Sequence, residues 1–103
     1  ISWSGGITGL LKTAHLAEAH GMNCEIHTAI YHPLELVNLH CASAIKNTEF
    51  FEVLLPEHLF NIGLKEKINI KDGHAYVPKN KPGLGIDLDW DFIDNSTLKV
   101  FDK

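Results

Sequence analysis

Apolar and polar residues follow a helical rhythm over the first part of the chain. From Thr8 to Gly21 the sequence TGLLKTAHLAEAHG is rich in helix-forming residues. Leu10, Ala14 and Ala17 fall on one face of that helix and form a modest apolar stripe. Thr8 is the predicted N-cap and Gly21 the predicted end of the helix. The pattern therefore predicts an amphipathic helix after the SGGITG turn.

Two short apolar segments follow, with a second helix between them. The stretches CEIHTA (24–29) and FFEVLL (50–55) predict strands, and the second is a continuous apolar run typical of a strand buried on both faces. The helix should begin near Pro33, because proline suits the first helical turn. Its apolar stripe consists of Leu34, Val37, Cys41 and Ile45. With Ile1 at the end of a further strand, the alternation predicts an α/β protein with a parallel sheet.

The pattern changes after about residue 64. Asp72 and Gly73 separate two short strand-like runs, which predicts a hairpin, and NKPGLG predicts a loop. Two strand–helix units cannot close an eight-stranded barrel, and the chain begins at Ile1 inside a predicted strand. We therefore expect the C-terminal piece of a larger protein. Residues 1–64 should form its strand–helix part and residues 65–103 a C-terminal tail.

Composition and charge narrow the class of protein. The chain has 103 residues, of which 45% are hydrophobic and 21% charged, as in ordered globular domains. Its net charge of -4 argues against nucleic-acid binding, and no apolar run has membrane-spanning length. Cys24 and Cys41 are isolated and form neither a CxxC motif nor a zinc-binding spacing, which favours reduced thiols in a cytoplasmic protein. We expect neither a nucleic-acid nor a membrane partner.

Two ionisable residues interrupt the predicted strands. His27 lies near the carboxyl end of the first, on the same face as Glu25, and Glu52 interrupts the second. Functional groups gather at the carboxyl ends of parallel strands, so both are candidate catalytic residues, and we expect them to lie side by side and to face one cavity. Burial in an apolar strand should raise the pKa of Glu52. The structural alternative stays open: each could be a satisfied core residue with no chemical role.

Other polar motifs carry less chemistry. His32 lies on the same predicted rim as His27 and is a weaker candidate for substrate binding. Asp87, Asp89 and Asp91 alternate, but they lack the glycine and glutamate of a calcium-binding loop, which favours a solvated face. The glycines of PGLG do not form a phosphate-binding motif.

Several of these motifs occur together in one known family. The ordered set SGGITG, CEIHTA, FFEVLLP and PGLG resembles the C-terminal part of the enolase superfamily, in its mandelate racemase-like subgroup. The resemblance covers about residues 4–90. It implies a capping domain and a modified (β/α)-barrel. The chain would then supply the end of the sixth strand, the seventh and eighth strands, and a tail that returns toward the capping domain.

The resemblance also implies roles for single residues. His27 matches a general base whose aspartate partner would fall just before Ile1, and Glu52 matches a residue that hydrogen-bonds the substrate carboxylate and the enediolate. The Mg²⁺ ligands of the family lie on earlier strands, so we expect none in this chain. The stretch ISWS has no lysine where some branches carry a lysine base.

The resemblance implies magnesium-dependent abstraction of the α-proton of a carboxylate, most simply the dehydration of a sugar acid. Racemisation or epimerisation of a 2-hydroxy acid is the first alternative, and an inactive, self-associating fragment is the second. We expect a homo-oligomeric parent enzyme and no turnover by the 103-residue chain alone. The flanking coding sequence would discriminate between enzyme and fragment.

Overall fold

A computed structural model describes residues 1–28, 32–60 and 62–101 of the chain. Its regular elements are α1 (Gly6–Ala19), α2 (His32–Ala42), α3 (Glu57–Phe60), β1 (Asn69–Lys71), β2 (His74–Tyr76) and α4 (Trp90–Ser96). A short 3₁₀ turn over Ser2–Ser4 precedes α1. The prediction that the first residues end a strand is therefore wrong. No helix among the described residues is both long and apolar enough to span a bilayer.

The predicted first helix forms, but it begins earlier than expected. Gly5 is the N-cap and Gly6 the first helical residue, so Thr8 lies inside the first turn and the predicted Thr8 cap is wrong. The end is as predicted. Gly21 has a positive φ of 68°, and its amide and that of Met22 donate to the carbonyls of Glu18 and Ala17. These two bonds close the last turn of α1 as a Schellman motif.

The second helix begins at His32, next to the expected Pro33, but its buried face differs from the predicted stripe. Cys41 and Ile45 are buried, although Ile45 lies beyond the helix end, while Leu34 is 39% exposed and Val37 only half-buried. The fully buried positions of α2 are Glu35, Leu36, Asn38 and Leu39. The prediction was off because α2 packs against two groups of residues, which widens its buried surface and includes polar positions.

The two predicted strands do not form as regular strands among the described residues. Residues 22–28 and 47–52 run side by side, but among the described residues a single backbone bond, from the Cys24 amide to the Asn47 carbonyl at 2.7 Å, joins them. Phe50 is 72% and Leu55 76% exposed, so burial of FFEVLL on both faces is also wrong. Glutamate carboxylates occupy amides of these segments that a ladder would otherwise use.

The predicted hairpin is confirmed. β1 and β2 pair antiparallel, with Ile70 opposite Ala75 and Lys71 opposite His74. Asp72 and Gly73 connect them with φ values of 52° and 75°. Two consecutive positive φ angles define the two-residue turn that matches strand twist, and Asp-Gly is a preferred sequence for it. The hairpin is thus encoded locally.

Two apolar clusters hold these elements together. The α1 cluster consists of Leu10, Ala14, Ile26, Cys41 and Ile45. The tail cluster consists of Leu36, Leu39, Leu64 and Ile68, with partly buried residues of the hairpin and of the 84–88 loop packed against it. Since α2 contributes to both clusters, it joins the first part of the chain to the tail. The division at residue 64 stays a prediction.

Candidate active site

The segment 24–28 is the first half of the candidate site. Ile26 and Thr28 are buried and Cys24 is half-buried, whereas Glu25 and His27 are exposed. This is the alternation expected of an extended chain. Ile26 packs in the α1 cluster and anchors the segment. That packing turns His27 outward, although no strand pairing of this segment is found in the part of the chain that the structure describes.

His27 and Glu52 are in direct contact, 25 residues apart in sequence. The Nδ1 of His27 lies 2.8 Å from Oε2 of Glu52. The same oxygen accepts the backbone N–H of Thr28 at 2.7 Å. The side chains are 73% and 44% exposed, so neither is the buried strand residue that the pattern suggested. The structure brings the two candidates together, while their catalytic roles stay predictions.

The surroundings of Glu52 hold its carboxyl group in the charged form. The Thr28 amide is the main cause of a lowered pKa. Partial burial is the second-largest effect and opposes it, while the hydrogen bond and the charge of His27 lower the pKa further. The predicted rise in the pKa of Glu52 is therefore wrong. An ionised carboxylate can only accept, so Nδ1 of His27 must donate. The tautomer with an unprotonated Nε2 follows for a neutral ring.

A cavity of about 490 Å³ lies on one side of His27. Trp3, Cys24 and Glu25 are among the other lining residues, and the floor includes Leu10 and Ile26. Glu52 is not among the described residues that line it. The expectation that both candidates face one cavity is therefore wrong in this arrangement, since Glu52 approaches His27 from the side of residues 47–52.

A further carboxyl group went unnoticed in the sequence. Glu35, at the start of α2, is 1% exposed, and burial together with the nearby charge of Glu52 raises its pKa to about 7. Glu35 stands one residue before Leu36 and three before Asn38, inside an otherwise apolar run. Glu35 and Asn38, two polar residues at helical spacing, were the signal in the sequence for polar positions on the buried face of α2. His32 begins the same helix, and its role in substrate binding stays a prediction.

The described residues do not form a metal centre. Within residues 1–28, 32–60 and 62–101, no three His, Cys, Asp or Glu side chains converge as ligands. Asp87 pairs with Lys81 at 2.7 Å, and Asp89 caps α4 by accepting the Phe92 amide at 3.0 Å. A magnesium ion would therefore need ligands other than these described side chains.

The chain belongs to the enolase C-terminal domain-like family, whose model matches residues 1–92. It is similar over 92% of its length to a crystal structure from Pseudovibrio sp. that is assigned to the mandelate racemase/muconate lactonizing enzymes, with a TM-score of 0.83 and 33% identity. The backbone thus follows the path of that domain even where regular strands are missing.

Two curated relatives carry names that specify a reaction. The chain is 34% identical over 86 residues to an arabinonate dehydratase of Saccharolobus solfataricus. The matched stretch covers 82% of the chain and 22% of the relative. It is 32% identical over 102 residues to a D-galactonate dehydratase of Pectobacterium atrosepticum, which covers 90% and 26%. The chain spans about a quarter of the length of these relatives and of the Pseudovibrio protein.

Proposed function

We propose that the protein carrying this chain dehydrates a sugar acid and that His27 exchanges protons with the substrate. The contact between His27 Nδ1 and Glu52 Oε2 carries this proposal, because it orients the imidazole and leaves its second nitrogen available. No hydrogen bond to Nε2 is found among the described residues. The dehydratase names of two relatives, arabinonate and D-galactonate, support the substrate class.

The hydrogen bond between the two side chains leaves Nε2 of a neutral His27 unprotonated. Glu52 stays ionised and accepts the hydrogen bond that Nδ1 of His27 donates. The imidazole therefore presents Nε2 as the proton acceptor. The Thr28 amide donates to the same carboxylate oxygen, which limits the rotation of the Glu52 carboxylate group. Glu52 therefore supports His27 from behind. The hydrogen bond from Glu52 to the substrate, which the resemblance implies, is not part of the proposal, because an ionised carboxylate cannot donate.

The reaction balances with one histidine cycling its proton. Nε2 accepts the proton on C2 of a 2,3-dihydroxy acid, and the electron pair moves into the carboxylate as an enediolate. The pair then returns to form a C2–C3 double bond while the C3 hydroxyl leaves as water with a proton from the imidazolium. The enol tautomerises to a 2-keto-3-deoxy acid. Magnesium dependence, which the resemblance implies, belongs to the proposal without a ligand among the described residues.

Turnover of sugar acids tests the proposal. The natural polypeptide that carries the chain is purified and incubated with arabinonate, galactonate and other sugar acids, with Mg²⁺ or with a chelator. We expect a 2-keto-3-deoxy acid only with Mg²⁺. His27→Asn should reduce the rate at least ~10²-fold while the protein stays folded, because asparagine cannot accept a proton near pH 7. His58→Asn, at an exposed histidine on α3, is the matched control and should be fully active.

Racemisation of a 2-hydroxy acid is the second candidate, favoured by the class assigned to the Pseudovibrio structure. Running the assay in deuterated water separates the two reactions. If C2 gains deuterium and inverts its configuration while no water is lost, the proposed dehydration is refuted and racemisation takes its place as the proposed reaction. Full activity in a destabilised His27→Asn variant would refute proton transfer by His27 and favour a structural histidine.

The 103-residue chain is a separate case. We propose that it has no turnover alone, because its described residues bring no metal ligands together. Magnesium-dependent dehydration by the purified chain would contradict this. Self-association of the chain, homo-oligomerisation of the whole protein and a cytoplasmic location stay predictions, and gel filtration of both polypeptides checks the first two.

A further inference from the structure

The carboxylate of Glu25 collects an unusual set of hydrogen bonds for an exposed side chain. It accepts the Thr48 hydroxyl at 2.7 Å and the Phe50 amide at 3.1 Å, both on Oε2. The Glu49 amide lies 3.1 Å from Oε1 and 3.3 Å from Oε2, and the Asn23 side-chain amide donates to Oε1 at 3.3 Å. Three of these four donors belong to residues 48–50. Glu25 thus binds its own segment to the neighbouring one.

These bonds lie between two other attachments of the same segments. Before Glu25, the Cys24 amide donates to the Asn47 carbonyl at 2.7 Å. After it, Glu52 accepts from Thr28 and contacts His27. Residue numbers rise together along both segments, so the segments run in the same direction. The attachments form a ladder in which carboxylates replace most of the backbone bonds.

Glu25 is the middle attachment, and its position determines which residues of the two segments lie opposite each other two positions further along. His27 follows Glu25 by two residues, and Glu52 follows Phe50 by two. Two residues of extended chain advance by about 6.6 Å on either segment, so equal steps from the Glu25 contact bring His27 opposite Glu52. A slip by one residue would turn the Glu52 side chain to the other face.

Charge reinforces the same contacts. The Thr48 hydroxyl and the Phe50 amide are the main causes of a lowered pKa for Glu25, so its carboxyl group is ionised near neutral pH. Hydrogen bonds to an ionised acceptor are shorter and stronger than neutral ones. An ionised glutamate has capacity for all four donors, whereas a glutamine offers one oxygen only.

We infer that Glu25 is a positioning residue: its carboxylate sets the register of residues 47–52 against residues 24–28 and so places Glu52 against His27. The consequence for turnover rests on the proposed function. The consequence for the structure does not, because the His27–Glu52 contact can be observed without any substrate.

The first test observes the histidine directly in the 103-residue chain. Nitrogen-15 NMR distinguishes the two ring nitrogens of His27, and wild type should show a protonated Nδ1. Glu25→Ala should average the two tautomers and speed exchange of the Thr28 amide roughly five- to tenfold, as expected for the loss of one hydrogen bond. The hairpin amides serve as internal reference and should not change. Glu18→Gln, at an exposed glutamate on α1, is the matched control.

Graded variants keep the test decisive if Glu25→Ala fails to fold. Glu25→Gln retains one acceptor oxygen and should lie between wild type and alanine. Thr48→Val removes the 2.7 Å bond from the other side and keeps the size of the side chain, so it should shift the His27 signals in the same direction. A folded Glu25 variant with unchanged His27 signals would overturn the inference.

Turnover by the natural polypeptide gives the second readout. Loss of positioning should lower kcat roughly 10- to 10²-fold with a smaller change in KM, and Glu25→Gln should recover part of it. The two failures are distinguishable. Altered His27 signals in a protein whose wild type has no dehydratase activity would reject the proposed function alone, whereas full kcat and wild-type His27 signals in Glu25→Ala would reject the positioning role alone.

Discussion

The hairpin of residues 69–76 and the site segments 24–28 and 47–52 both place two stretches of chain side by side. In the hairpin, backbone groups pair across the strands and a two-residue turn closes them. In the site, one backbone bond is found among the described residues, and the carboxylates of Glu25 and Glu52 accept the amides of Thr28, Glu49 and Phe50. Backbone pairing does not depend on protonation, whereas carboxylate pairing does.

This difference matters for function because a carboxylate attachment also sets chemistry. The oxygen of Glu52 that accepts the Thr28 amide also contacts Nδ1 of His27. Holding the segment and orienting the imidazole are therefore one arrangement. In the hairpin, the turn is made by backbone conformation, and the titratable side chain that meets it, His74, contacts the backbone carbonyl of Asp72 at 2.8 Å rather than a carboxylate.

Core truncation should separate the two regions with the largest effect. Ile26→Ala removes a buried side chain of the α1 cluster, and Leu36→Ala one of the tail cluster. Each should cost about 2–5 kcal/mol of unfolding free energy. Residue-level hydrogen exchange should show faster exchange mainly in segment 24–28 for the first variant and mainly in the hairpin for the second. Equal acceleration everywhere would mean that the two regions unfold as one unit.

The buried carboxyl of Glu35 should oppose the pH dependence of the exposed ones. Its pKa is raised to about 7, so its stabilising contribution is complete below the ordinary value of 4.5 and lost as pH rises toward 7. The unfolding free energy of the wild type should therefore fall by on the order of 3 kcal/mol between these pH values, and Glu35→Gln should abolish this fall. Urea unfolding from pH 4 to 8 measures it, with Glu18→Gln as control. An unchanged pH slope would contradict the assignment.

A backbone change should act on the hairpin alone. Gly73→Val places a β-branched residue at a φ of 75°, which should cost about 1–3 kcal/mol. Exchange of the hairpin amides should increase while the His27 ring signals in the NMR spectrum stay as in wild type. Gly73→Asn, which tolerates this conformation better, is the matched control. A shifted His27 signal would show that the hairpin supports the site.

Mild acid should act on the site alone, with the smallest effect. Glu25 and Glu52 both have lowered pKa values, so they stabilise the folded state above 4.5, and this contribution disappears as pH falls through their folded-state values. Amide exchange, corrected for its intrinsic pH dependence, should lose protection at Glu49, Phe50 and Thr28 before the hairpin does. If the hairpin amides lost protection first, the predicted acid sensitivity of the site would be contradicted.

Much of the fold could be predicted where the signal is local. Gly21 ends α1 and Asp72-Gly73 turns the hairpin, because positive φ angles select these residue types. The exposed and buried sides of residues 24–28 also follow from alternation. The contact between His27 and Glu52 was expected from the same alternation, although neither the cavity nor the charge state of Glu52 was predicted correctly.

The sequence by itself therefore determined α1, α2, the hairpin, the family and the two candidate residues, whereas α3 and α4 were not predicted. Tertiary structure decided what depends on partners distant in the chain. The pKa of Glu52 is set by an amide 24 residues away, Glu35 is buried because α2 packs on two clusters, and Glu25 bonds donors 23 to 25 residues away. Neither hydrogen bonding to a charged group nor desolvation is a property of one residue, because each is fixed only when the folded chain brings its neighbours into place.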